Sequence, residues 1–126
     1  MSIEENKTFV REYLDAINGQ PKTASLSARY IAEPALIDHI QACETAFPCY
    51  RLDVDEMLAE GDLVSVRGMI RGVHQGPFMG VAATGNPVEF SIYITYRVQD
   101  GKIVDHWMLT DDVALMRQIG MIPAMA

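Results

Sequence analysis

The first third of the chain repeats its apolar residues at helical spacing. Phe9, Val10, Tyr13, Leu14 and Ile17 form one stripe on a helix. Ser2-Ile3-Glu4-Glu5 reads as a capping box at its start, and Gly19 with Pro21 ends it. A short helix is predicted around Leu26 to Ile31. Another begins at Pro34, a residue suited to the first helical position, and buries Leu36, Ile37, Ile40 and Cys43 before Phe47-Pro48 stops it. After Pro48 the period changes from helical to alternating. Strands are predicted over Tyr50 to Ala59, Leu63 to His74, Pro87 to Gln99 and Lys102 to Asp111. Glu60-Gly61-Asp62 and Asp100-Gly101 are the hairpin connectors, and a last helix from Asp112 to Gln118 is stopped by Gly120. Helices first and a strand meander afterwards predict one α+β domain over residues 1–126, its helices covering one face of a curved antiparallel sheet.

Register decides which side chains face the helices, because one residue of slip exchanges the two faces. In the first hairpin a three-residue turn pairs Ala59 with Leu63. Leu58, Val54, Leu52 and Tyr50 then share the core face with Val64, Val66, Gly68 and Ile70, while Asp53 and Asp55 face solvent with Arg67 and Arg71. A two-residue turn is rejected because it sets Glu56 and Arg67 on the apolar face. His74 ends the inward row.

In the second hairpin Gln99 pairs with Lys102. Phe90, Ile92, Ile94, Tyr96 and Val98 then face inward with Ile103, Asp105, Trp107, Leu109 and Asp111, and His106 faces solvent or another subunit. Asp111 becomes a carboxylate in apolar surroundings, where desolvation of the charged form raises the pKa towards that of a working proton shuttle. The same residue is equally placed to N-cap the last helix and touch no ligand. Likewise, His74 reads as a strand-end residue with its hydrogen bonds met, and Trp107 and Tyr13 as core packing.

Composition narrows the function. With 126 residues the chain has room for a core and one enclosed cavity. Its net charge of −7 argues against nucleic acid and anionic membranes as partners. No apolar run approaches the roughly 20 residues that span a bilayer, and the acidic start lacks a signal-peptide pattern, so a cytoplasmic location is expected. Cys43 and Cys49 are spaced for neither zinc nor redox chemistry and read as free thiols. His39, His74 and His106 show no ligand spacing, so no metal is expected.

From Phe47 onward the chain resembles the SnoaL-like polyketide cyclases of the nuclear transport factor 2-like superfamily. The resemblance is carried by Glu60-Gly61-Asp62, Gly72-Val73-His74-Gln75-Gly76-Pro77-Phe78-Met79-Gly80, Thr84-Gly85, Asp100-Gly101-Lys102-Ile103-Val104, Trp107, Asp111 and Gln118-Ile119-Gly120. Departures are Val73 for the usual Thr, Ala83 for Pro, Asn86 for a basic residue, and Cys49 where Asp often follows Phe-Pro.

The resemblance implies a cone-shaped α+β fold around a pocket, no metal or cofactor, and ring closure by intramolecular aldol addition. It assigns the general acid/base to Asp111, through the pattern of Trp107, Asp111, Gln118 and Gly120, and sets His74 beside the pocket. The expected function is therefore cofactor-free acid/base chemistry, of aldol or enolisation type, on a small hydrophobic carbonyl compound. Asp111 moves the proton and His74 orients the developing oxyanion. Trp107, Phe90, Tyr13, Tyr50, Phe78 and His39 contact the substrate. An isomerase or dehydratase fits the same residues. The alternative of another class is a non-catalytic small-ligand-binding or dimerisation domain. A homodimer through the outer sheet face is the expected assembly.

Overall fold

The computed structural model describes residues 2–122. Three helices, α1 (Ile3–Ile17), α2 (Ala24–Ala28) and α3 (Pro34–Ala46), precede four strands, β1 (Arg51–Glu60), β2 (Leu63–Val73), β3 (Pro87–Gln99) and β4 (Lys102–Thr110), and α4 (Asp112–Gln118) follows. The strands form one antiparallel sheet in the order β1-β2-β3-β4. This is the α+β architecture expected from the sequence pattern. Among the described residues no helix is long and apolar enough to cross a membrane.

Local chemistry explains the helices. Ser2 and Glu5 close the capping box reciprocally, at 3.1 and 3.3 Å, and α1 buries Val10, Tyr13, Leu14 and Ile17 on one side. Its end is fastened to β1, where the Asn18 amide nitrogen donates to the Leu52 carbonyl (2.9 Å) and its oxygen accepts the Leu52 N–H (2.8 Å). The short helix starts earlier than expected because the Thr23 hydroxyl caps it by accepting the Leu26 N–H. Pro34 occupies the first turn of α3.

The sheet departs from the expected register twice. At the first hairpin Glu60 pairs with Leu63, so the turn has two residues and not three, and Asp55 is an extra residue bulged out between Val54 and Glu56. Met57 is consequently buried and Leu58 is 62% exposed, the reverse of the expected faces. The rejected turn is accommodated because the bulge lets Glu56 and Arg67 pair on the solvent side. Gly68 belongs to the same adjustment: a Cβ there would lie 2.4 Å from the Asp53 carbonyl oxygen.

At the second hairpin Asp100 and Gly101 both take positive φ, as a tight two-residue turn requires, and Gln99 pairs with Lys102 as expected. The ladder then jumps. Val98 faces Ile103 but Arg97 faces Asp105, so Val104 is the extra residue. Beyond it every β4 side chain lies on the face opposite to the expected one. His106, Met108 and Thr110 sit opposite Tyr96, Ile94 and Ile92 on the inner side, and Asp105, Trp107 and Leu109 look outward.

Candidate active site

A cavity of about 120 Å³ lies between the helices and the inner sheet face, lined mostly by apolar side chains such as Leu36, Ile40, Phe47, Phe90 and Ile92. That is the order of volume that admits one small ring. Three tyrosines line it: Tyr13 from α1, Tyr50 just before β1, and Tyr96 from β3, with Tyr13 and Tyr96 edge to face at 5.9 Å. Their hydroxyls make no hydrogen bond among the described residues. Burial pushes all three phenols well above their ordinary pKa, so each is a neutral donor.

Among the described residues, His39 and Asp112 are the two lining residues that also face solvent, and so mark the mouth. The Thr110 hydroxyl donates to the Asp112 carboxylate at 2.5 Å. His39 Nε2 lies 3.5 Å from Cys43 Sγ. Partial burial, helped by the charge of nearby His106, holds the His39 pKa below its ordinary 6.5 and favours the neutral ring. Burial raises the Cys43 thiol to about 11, which makes it a protonated wall group and not a nucleophile. Both cysteines are free.

Tyr13, Tyr50, Phe78, Phe90 and His39, named from the sequence as substrate contacts, all line the cavity. Expectation and structure disagree on Asp111. Its carboxylate is exposed and accepts the Ala114 N–H at 3.0 Å as the N-cap of α4, while its backbone N–H pairs with the Ser91 carbonyl. The bulge at Val104 is the cause, since it exchanges Asp111 for Asp112 on the inner row. Trp107 is corrected for the same reason: it is 50% exposed on the outer face, with the Arg97 guanidinium 5.4 Å from its ring centroid. His106, expected at the surface, points inward and pairs with Glu33 at 2.7 Å.

His74 does not reach the cavity. It is fully buried, its ring packed on that of Phe47 at 5.7 Å. Thr84 approaches Nδ1 through its hydroxyl (2.9 Å) and its backbone N–H (3.3 Å). An N–H can only donate, so Nδ1 is the acceptor and the ring proton sits on Nε2, which has no partner among the described residues. The His74 backbone pairs with Asn86 and Gly85 as well. Two residues on, a Cβ at Gly76 would lie 2.0 Å from the Thr45 carbonyl oxygen. The Gly72-to-Gly80 motif therefore locks a loop onto the end of α3 and holds Phe78 against Phe47, at 5.3 Å, in the cavity wall.

Sequence reasoning missed Asp112, Thr110, Tyr96 and Cys43 as cavity residues. Tyr96 was legible as an inward aromatic, and Asp112 differs from the expected acid by one position. Among the described residues no group of three His, Cys, Asp or Glu could hold a metal ion.

The family model of the SnoaL-like polyketide cyclases matches residues 9–119, and the chain belongs to that family. Among solved structures it is similar to AclR, a candidate hydroxylase from Streptomyces galilaeus, at 26% identity and a TM-score of 0.85 over 99% of this chain and 87% of that one. It is also similar to IdmH, a candidate polyketide cyclase from Streptomyces antibioticus, at 26% identity and a TM-score of 0.75 over 92% and 99%. A SnoaL-like protein from Jannaschia sp. CCS1 shares the fold at 21% identity, a TM-score of 0.80, and 98% and 97% coverage. No curated protein sequence matches the chain.

Proposed function

We propose that the chain moves a proton on a small hydrophobic carbonyl compound, in an aldol or enolisation reaction that needs no cofactor. The observation that carries this reading is the pairing of a one-ring, largely apolar cavity with two proton-transfer groups, Asp112 and His39, at its mouth. Asp112, oriented by Thr110, takes the proton alpha to the carbonyl in the role the sequence motif assigns to Asp111. His39, a neutral imidazole, can accept at one nitrogen and donate at the other, and so relays or returns the proton. Apolar walls exclude water and hold the ligand in one orientation. Family membership and the likeness to IdmH favour carbonyl chemistry over simple storage of a ligand.

The test needs no natural substrate. Cyclohexanone and acetophenone are incubated with the protein in deuterated water, and alpha-deuteration is followed by NMR. The protein should speed exchange above the buffer rate, and Asp112→Asn should remove at least tenfold of that gain. Exchange at the buffer rate with every one-ring ketone sinks the proposal.

A second copy of the chain is the proposed partner of the outer face. There Trp107 and Leu109 stand exposed beside Tyr93, a contiguous apolar row across β3 and β4. Leu109→Glu should turn a dimer into a monomer in sedimentation equilibrium; a wild-type monomer at high concentration removes this assembly.

A further inference from the structure

Tyr50 differs from the other two cavity tyrosines in having a buried cation on its ring. The Lys22 side chain has no solvent exposure, and its Nζ lies 4.0 Å from the Tyr50 ring centroid. The ammonium donates to the carbonyls of Tyr50 (2.6 Å) and Gln20 (3.1 Å), and Glu44 Oε1 is 3.5 Å away. Burying an ammonium is costly unless it is tied down, and here two carbonyls, one carboxylate and one aromatic face share the task. Glu44 counters that charge from 3.5 Å, while its carboxylate also accepts the Cys49 N–H. The ammonium acts on the π system of Tyr50, withdraws electron density from the phenol and makes its O–H a stronger donor.

We propose that Tyr50, polarised by Lys22, donates the hydrogen bond that holds the developing oxyanion of the bound ligand. This rests on the reading of the cavity as a small-molecule site. The supporting geometry is independent of the mouth residues: Tyr50 lines the cavity, its hydroxyl has no partner among the described residues, and the cation is fixed on its ring. Burial keeps the phenol protonated, so it donates and does not act as base. Lys22 is then a positioning residue, acting on the ligand through the ring it touches.

The experiment uses 4-nitrophenol, a one-ring probe whose charged form is an oxyanion and whose ionisation is visible by absorbance. Affinities for phenol and phenolate are measured separately by titrating across pH. A dry apolar cavity alone favours the neutral phenol; a polarised donor shifts the bound probe towards phenolate. Tyr50→Phe, which keeps the ring under Lys22, should weaken phenolate binding at least tenfold and leave phenol binding within about twofold. Lys22→Met should lower phenolate affinity severalfold with the same selectivity. If that variant does not fold, Glu44→Gln serves in its place and should strengthen phenolate binding. Equal weakening of both forms, or no change in Tyr50→Phe, overturns the assignment and leaves the cavity reading standing. Failure of the wild-type protein to bind either form overturns the cavity reading and this assignment together.

Discussion

The two hairpins of the sheet each carry one extra residue, and the consequences differ. In β1 the bulge at Asp55 lies mid-strand and offsets the shorter turn, so the cavity end of the strand, with Leu52 and Val54 facing inward, matches a regular alternation counted from a three-residue turn. The segment between the bulge and the turn, Glu56 to Glu60, exchanges faces, which buries Met57 and exposes Leu58. In β4 the bulge at Val104 comes two residues after the turn, and the whole cavity end lies beyond it. The same one-residue irregularity is harmless to the site in one strand and decides its chemistry in the other. Bulges commonly re-aim side chains beside functional sites, and here the one in β4 brings His106, Met108, Thr110 and Asp112 to the inner side. The outer faces differ as well. The first hairpin presents ion pairs such as Arg71–Asp53 and Arg67–Asp55, whereas the second presents Trp107 and Leu109 beside Tyr93.

The face assignment beyond Val104 is most sharply broken by two neighbouring substitutions. Met108→Asp places a charge on the cavity side and should cost about 2 kcal/mol or more of stability in urea titration. Leu109→Asp, 75% exposed, should change the stability of the monomer by no more than about 0.5 kcal/mol. A regular ladder would interchange the two results.

Much of this architecture was legible beforehand. Capping at Ser2, the break at Gly19 to Pro21, Pro34 at a helix start and the Asp100-Gly101 turn each leave a local mark, because each solves a local backbone problem. The bulges leave none. Past the second turn, both faces of β4 carry large apolar residues, Trp107 and Leu109 on one and Met108 on the other, so hydrophobic alternation cannot detect a slipped residue. Adjacent Asp111 and Asp112 then make either register chemically plausible. His74 follows its strand-end reading and not the pocket role the resemblance implies: its motif records a tightly packed loop, and a packed loop and a catalytic loop use the same glycines and histidine.

Asp111 and Asp112 should separate cleanly. Asp112→Asn should lower ketone alpha-exchange at least tenfold, whereas Asp111→Asn should leave it within about twofold. Asp111→Ala instead loses the cap of α4 and should cost about 1 kcal/mol of stability, with exchange retained in the folded fraction. Loss of exchange in the Asp111 variant alone would return the base to the position indicated by the sequence motif.

His39 adds a pH signature that no residue of the first hairpin shares. Its folded pKa is lowered by burial and by His106, so the neutral form persists somewhat below the ordinary 6.5. As pH falls below 6.5 the unfolded chain takes up the proton first, so this stabilising contribution, complete above that pH, declines until the folded pKa is passed. Alpha-exchange should fall over the lower end of the same window. His39→Gln should flatten both profiles, and an unchanged pH profile in that variant assigns the proton relay elsewhere.

The smallest effect belongs to the charged outer face of the first hairpin. Burial opposes ionisation of Asp53, but hydrogen bonds from Arg71 (2.7 Å) and Arg51 (3.2 Å) prevail and hold its pKa below the ordinary value. The contribution of this carboxylate is therefore present above its unfolded pKa and is lost as pH falls through the folded one. Exposed pairs of this kind are worth little, so Asp53→Asn should lower Tm at neutral pH by no more than about two degrees, less still in high salt, and not at all in acid. A larger loss that persists in acid would mean that Asp53 supports the Asp55 bulge through backbone geometry and not through charge. The two hairpins would then both depend on their irregular residue for more than the direction in which side chains point.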